Sequence, residues 1–190
     1  MKPLQASFPN RQIGALREVH PFAAPIAVDF VVESQGHMTN WCWAAVTSSI
    51  SRYYPAPPGK SQCEVARMEV GAQLHVDCCV SPGACDVTWY LDLPLQHVGH
   101  FHARAGSWVQ PAAVAAELQA HNPLPVRVEW RSGGSHFLAI YGMQDLGGGT
   151  FQLWLTDSIF GVSSISGVAF VNGGYQAAGG RWADSYSVKP

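Results

Sequence analysis

The chain has 190 residues, 13% charged and 47% hydrophobic, with 11 basic against 13 acidic side chains and a formal net charge of -2. This length suits one domain with a sizeable core, and the near balance of charge, with Lys and Arg scattered, excludes the basic patch of a nucleic-acid binder. Trp and the aliphatic residues exclude a disordered chain, and no apolar run approaches the ~18 residues of a membrane span.

Residues 1–28, rich in Pro and polar side chains, are expected to form an N-terminal arm. Lys2, Arg11, Arg17 and Glu18 interrupt any apolar stretch of the roughly 7–15 residues that a cleavable secretory peptide needs, so export would take another route. Residues 26–32 are β-branched and predict a strand. Residues 40–54 read as one buried helix, capped by Thr39 or Asn40 and ended by Pro55, Pro57 and Pro58. Ser61-Gln62-Cys63-Glu64 has the form of a capping box and opens a second helix that runs to about Gln73. Residues 75–86, with three Cys, Pro82 and Gly83, read as a loop. Asp86 is expected to cap a helical or turn-like segment that Pro94 interrupts. Pro111 suits the first turn of a helix that ends before Asn122 and Pro123.

The pattern then changes to period two. Residues 125–130, 136–141 and 150–156 predict strands, separated by turns at Gly133-Gly134 and Gly147-Gly148-Gly149. Residues 168–171 and 182–188 are expected to supply further strands. Helices first and antiparallel strands second make an α+β layout.

Cys42 stands at the first turn of its helix, where unpaired N–H groups and the helix dipole favour a thiolate. Such a nucleophile needs a base, and His136 begins a strand directly after the Gly133-Gly134 turn. The base needs an orienting group, and Asp157 ends the next strand, where hairpin pairing can set its carboxylate against the ring. Asp145 competes for that role but lies nearer the glycine turn and reads as a turn residue. Gln35, seven residues before Cys42, offers an amide that with the Cys42 backbone N–H can hold a developing negative charge. A Cys between two Trp can also be a buried core thiol; the company of His136 and Asp157 favours catalysis. Trp41 and Trp43 are candidates for substrate-subsite walls or for packing.

Cys63, Cys78, Cys79 and Cys85 remain, an even set of disulfide candidates. A bridge between the adjacent Cys78 and Cys79 is strained, which leaves Cys63–Cys78 with Cys79–Cys85, or Cys63–Cys79 with Cys78–Cys85. Disulfides imply an oxidising compartment at some stage. The C-x₂₋₄-C spacing of zinc sites is absent, and His97, His100 and His102 have no carboxylate or Cys at ligand spacing, so no metal is expected.

The order Gln35, then Met38-Thr39-Asn40-Trp41-Cys42-Trp43-Ala44-Ala45, then His136 and Asp157 resembles the papain-like cysteine peptidases, in particular the bacterial avirulence-effector (AvrRpt-type) proteases. Gln62-Cys63-Glu64, Cys78-Cys79, Cys85, residues 125–130 and Gly180-Arg181-Trp182 add to the likeness, which runs from about residue 30 to 188. The resemblance implies a papain-like two-lobed fold within residues 29–190, a helical lobe at about 29–122 and a β lobe at 123–190, with the cleft between them. It also implies an endopeptidase acting through a thioester: Cys42 attacks, His136 moves protons, Asp157 orients His136 and Gln35 lines the oxyanion hole. Members are commonly delivered into other cells, so a secreted or translocated effector or toxin is expected, with a cytoplasmic location as the other option. No V-P-x-F-G-x-W self-cleavage site stands in the arm, a departure that puts autoprocessing there in doubt. The expected partners are a protein or peptide substrate and a host or immunity protein. No cofactor, nucleic acid or membrane is expected, and the chain should act as a monomer. The same triad also serves amidases, deamidases and acyltransferases, and an inactive binding module is the reading from another class.

Overall fold

In the computed structural model, which describes residues 24–190, a central helix lies between a cross-linked helical region and an antiparallel sheet. The arm expected at 1–28 lies mostly outside the described residues. Its end, β1 (Ile26–Ala27), pairs with only two residues of a later strand. The strand expected over 26–32 therefore stops early, although the chain stays extended with Val28, Phe30 and Val32 buried in alternation. Val32 N–H donates at 2.9 Å to the Thr156 hydroxyl, so a side chain rather than a ladder satisfies this backbone.

The central helix α1 (Cys42–Tyr53) is buried on all sides through Ser51. Ala44, Ala45, Ser48, Ser49 and Ser51 let neighbouring elements approach closely, and the serines turn their hydroxyls back onto carbonyls: Ser49 to Ala45 and Ser51 to Ser48. Neither Thr39 nor Asn40 caps it. The N-cap is Trp41, without a side-chain bond. Asp86 instead accepts the backbone N–H groups of Thr39 at 3.0 Å and Asn40 at 2.8 Å. Its carboxylate thus braces the helix entrance across the fold rather than capping the segment after it. These bonds hold the Asp86 pKa below the usual carboxylate range, although burial works the other way.

Ser61 and Glu64 form the expected capping box at the start of α2 (Gln62–Ala66). The helix widens into a π turn at Arg67–Gly71 and closes with α3 (Ala72–Leu74). After a 3-10 turn at Pro82–Cys85, residues 87–91 are not helical. The next helix, α4 (Asp92–His97), begins late enough to hold Pro94 in its first turn. A missing N–H costs nothing there, so Pro94 interrupts nothing. Then come β2 (Phe101–Arg104) and α5 (Pro111–Gln119), the latter with Pro at its start as expected.

The remaining strands are β3 (Leu124–Glu129), β4 (Ser135–Gly147), β5 (Thr150–Asp157), β6 (Gly161–Ser166) and β7 (Arg181–Val188). The sheet runs β2-β7-β3-β4-β5-β6, with β1 pairing Gly142 and Met143 of β4 beyond the stretch that β3 covers, and every pairing is antiparallel. β2 thus joins the sheet from the stretch expected to be helical, whereas β1 falls within the strand expected at 26–32. Residues 168–171, expected as a strand, lie in α6 (Gly167–Val171). A four-residue apolar run cannot separate strand from helix by periodicity. Here it folds back behind the edge strand and buries Phe170. Gly167 is packed so tightly that a Cβ would stand 1.8 Å from Phe151.

Candidate active site

The sheet register brings two of the three reactive candidates together. β4 and β5 pair with Ala139 opposite Thr156. Extending this register by one pair sets Asp157 opposite Leu138, so Asp157 and His136 share a face as diagonal neighbours. The backbone reaches His136 through Gly133 and Gly134, whose φ of +92° and +82° suit glycine and permit the tight return from β3 to β4.

His136 Nε2 lies 2.9 Å from both Asp157 carboxylate oxygens. Asp157 also accepts from the Tyr175 hydroxyl at 2.7 Å, Ile159 N–H at 2.7 Å and Phe160 N–H at 3.1 Å. The carboxylate is 3% exposed, and only such a full donor set makes a buried charge tolerable. The Cys42 thiol, at the start of α1, lines the same cleft as this imidazole from the other lobe. Cys42 is the free cysteine among the described residues.

The electrostatics follow from these contacts. Burial opposes charge on His136, but its bonds to Asp157, with the nearby Cys42, outweigh burial and push its pKa up to about 9. Burial acts against Asp157 as well, yet the His136 and Tyr175 bonds hold its pKa below the usual carboxylate range. Tyr175 is driven far upward by burial and by the adjoining carboxylate, so its hydroxyl stays a donor.

Aromatic rings surround the pair. Trp130 stacks on His136 with centroids 6.0 Å apart and on Tyr175 at 6.1 Å, and Phe160 meets His136 edge-on. A cleft of about 370 Å³ opens over Cys42 and His136, with Trp89, Trp130, Ile159 and Phe160 among its walls. The site is apolar with a few convergent polar groups, as small-molecule and peptide sites commonly are.

Two disulfides support the thiol side, Cys63–Cys79 and Cys78–Cys85. They hold the loop that carries Asp86, Val87, Thr88 and Trp89. Of the two candidates for subsite walls, Trp43 lines the cleft and Trp41 does not, and both brace this loop. Trp41 is 5% exposed and donates its indole N–H to Cys85 O at 2.8 Å; Trp43, fully buried beneath the cleft, donates to Val87 O at 2.9 Å. Gln35 lines an adjoining recess with Ser34, Met38 and Ser158 that shares Thr39 and Ile159 with the cleft. Its amide nitrogen donates to Met38 O at 2.5 Å and its oxygen accepts from Ser158 at 2.7 Å, which leaves one amide hydrogen for another acceptor. Asp145 accepts Gly147 N–H within the glycine turn and takes no part in the triad geometry. His97 bonds Glu69 and His100 bonds Lys189 O, and among the described residues no group of His, Cys, Asp and Glu could hold a metal.

Four contributors escape sequence reasoning: Asp86, Trp89, Trp130 and Tyr175. Tyr175 follows a glycine pair in an irregular segment and reaches Asp157 only because a bridge to Gly180 folds that segment back. No spacing signals this. Asp86 carried a signal, its helix-capping chemistry, but the partner lay 46 residues upstream.

A thiol on a helix start facing a sheet-borne imidazole across a cleft defines the papain-like class of cysteine hydrolases. The model of one such family, described as papain-like cysteine protease AvrRpt2, matches residues 24–160. The chain belongs to this family, and it is a hydrolase of the cysteine peptidase type. No curated protein matches it. The match contains Cys42, His136 and Asp157 but ends before Tyr175 and β7.

Proposed function

We propose that the protein is an endopeptidase in which Cys42, His136 and Asp157 act as a triad through a thioester. The observation that carries this reading is the doubly bonded His136–Asp157 pair at 2.9 Å, lying in one cleft with the free thiol of Cys42. Cys42 sulfur, its proton passed to His136, attacks the carbonyl carbon of the scissile amide. The oxyanion is held by N–H groups at the start of α1 and by the remaining amide hydrogen of Gln35. As the intermediate collapses, the C–N bond breaks, His136 gives its proton to the departing amine and the acyl group stays on sulfur. Water then loses a proton to His136 and attacks the thioester. The carboxylic acid leaves and the thiol is restored. Asp157, fixed by four donor groups, keeps Nε2 of His136 engaged so that the other ring nitrogen serves Cys42.

The two disulfides favour work in an oxidising compartment. With the effector-type family, they support a secreted or translocated bacterial enzyme whose partners are a protein substrate and a host or immunity protein. No helix among the described residues is long and apolar enough to cross a membrane.

The test is digestion of a proteome-derived peptide library with wild type and Cys42→Ala, read by mass. Endopeptidase action yields two peptides per cleaved substrate from wild type and none from the variant. Single products about one mass unit heavier would mean side-chain deamidation instead, and undiminished cleavage by Cys42→Ala would remove the nucleophile assignment.

A further inference from the structure

A second recess, of about 520 Å³, adjoins the cleft and shares Thr88, Trp89, Ser135 and Phe137 with it. Its remaining lining is unlike the aromatic cleft: Asp92, Arg104 and Arg127 stand among Tyr90, Leu91 and Tyr186. The sheet register places the guanidinium groups. Arg104 on β2 pairs with Tyr186 on β7, and Arg127 on β3 pairs with Asp184 on β7 and with Phe137, the residue after His136.

Both cations are held in place without being saturated. Arg104 Nε donates to Asp184 at 2.7 Å, and its guanidinium lies over the Tyr186 ring at 5.5 Å. Arg127 Nη1 donates to Glu129 at 3.0 Å, while its Nε is buried without a hydrogen bond, with Asp184 Oδ2 3.9 Å away. Each guanidinium has five N–H donors; Arg104 Nε is taken by Asp184 and Arg127 Nε is enclosed, so what remains for a guest is on the terminal nitrogens. The acids, by contrast, are largely committed. Asp184 is 1% exposed and accepts from Arg104, Ser185 N–H and the Tyr186 hydroxyl, and Glu129 takes both Arg127 and Arg181. Asp92, 3.8 Å from Arg104, is the acid that lines the recess. The surplus is in donors, and donors in a fixed fork select a carboxylate.

We propose that this recess is a substrate subsite that binds a carboxylate of the peptide chain through Arg104 and Arg127, giving preference for an acidic residue near the scissile bond. The subsite rests on the endopeptidase reading above. An internal Asp or Glu and a free C-terminus share this chemistry, and the internal side chain fits an endopeptidase.

The experiment compares matched peptides that differ at one position near the scissile bond (Glu, Gln, Lys or Leu), each with free and amidated C-terminus. The enzymes are wild type, Arg127→Gln, Arg104→Gln and Cys42→Ala. The amidated Glu peptide should show a KM about tenfold below that of the Gln peptide, a preference that either Arg→Gln variant erases. Hydrolysis of the Gln and Leu peptides should be unchanged in those variants, which shows that they fold and that their catalytic groups are intact. Preference for Lys would mean that Asp92 governs the recess and would overturn the assignment. Equal rates for Glu and Gln would do the same, and a preference seen only with free C-termini would replace the side chain by the terminal carboxylate. If no peptide is cleaved in a Cys42-dependent way, the endopeptidase reading falls and takes the subsite with it; cleavage without acidic preference removes the subsite alone.

Discussion

On the sheet side of the cleft, His136 and Asp157 are placed by ladder register on neighbouring strands. On the helical side, Cys42 is placed by long-range staples: two disulfides, the Asp86 carboxylate and the indole bonds of Trp41 and Trp43. A register slip would move both sheet residues together to the wrong face, whereas each staple can be cut singly. The imidazole–carboxylate pair is therefore a property of the sheet, and the position of the thiol is a property of the loop at 78–89.

The comparison breaks most visibly at the chemical groups. His136→Ala should lower kcat/KM at least about a thousandfold, because members of such a unit do not act additively, and should also lower stability by leaving the buried Asp157 without its His136 donor. Circular dichroism beside peptide kinetics checks this.

Asp157→Asn comes next, at about a hundredfold or more in kcat, and it has a pH signature. Wild-type kcat/KM should decline on the alkaline side near the His136 value of about 9. The Asp157 bond is the main cause that raises His136 against burial, so the variant's alkaline limb should move to lower pH. Stability follows the same groups. His136 is raised on folding, so its contribution is complete below the free-imidazole range and is lost as pH rises through about 9. Asp157 is lowered, so its contribution is present above the free-carboxylate range and is lost as pH falls through its depressed value. A pH series of thermal melts reads both limbs.

Cutting a staple should be milder. The Cys63→Ser/Cys79→Ser double variant, which opens a bridge of 16-residue separation, should lose about 2–4 kcal/mol of stability. Hydrogen exchange should rise first in the loop at 78–89 and at the start of α1, leaving β4 and β5 protected. Equal exposure of both sides would erase the distinction between them. Tyr175→Phe is the smallest change. It removes one buried donor to Asp157 and should cost about 1–3 kcal/mol of stability, with a shifted alkaline limb if the hydroxyl tunes the pair and an unchanged limb if it only packs.

What could be read in advance follows the same division. The nearness of His136 and Asp157 is legible because an apolar β-like segment and a period-two segment flank three consecutive glycines, and a hairpin makes neighbours of its strands. Cys42 at a helix start was visible from local pattern, as was the Ser61–Glu64 box. The braces were not, because Asp86 to Asn40 and Trp41 to Cys85 are contacts between irregular segments whose paths no period describes. Cysteine count left two pairings open, and the loop path selects Cys63–Cys79 with Cys78–Cys85. Residues 168–171 resemble a strand in sequence, although they form a helix, because their apolar run is too short to show a helical period. Tyr175 was hidden for the opposite reason, a long-range bond from a glycine-rich turn.

The central claim is that groups from the two sides act as one unit. A double-mutant cycle of Cys42→Ala and His136→Ala, with kcat/KM measured on one cleaved peptide, tests it most directly. The account predicts that the double variant is no slower than the worse single variant. Losses that multiply would show that the thiol and the imidazole act independently and would contradict it.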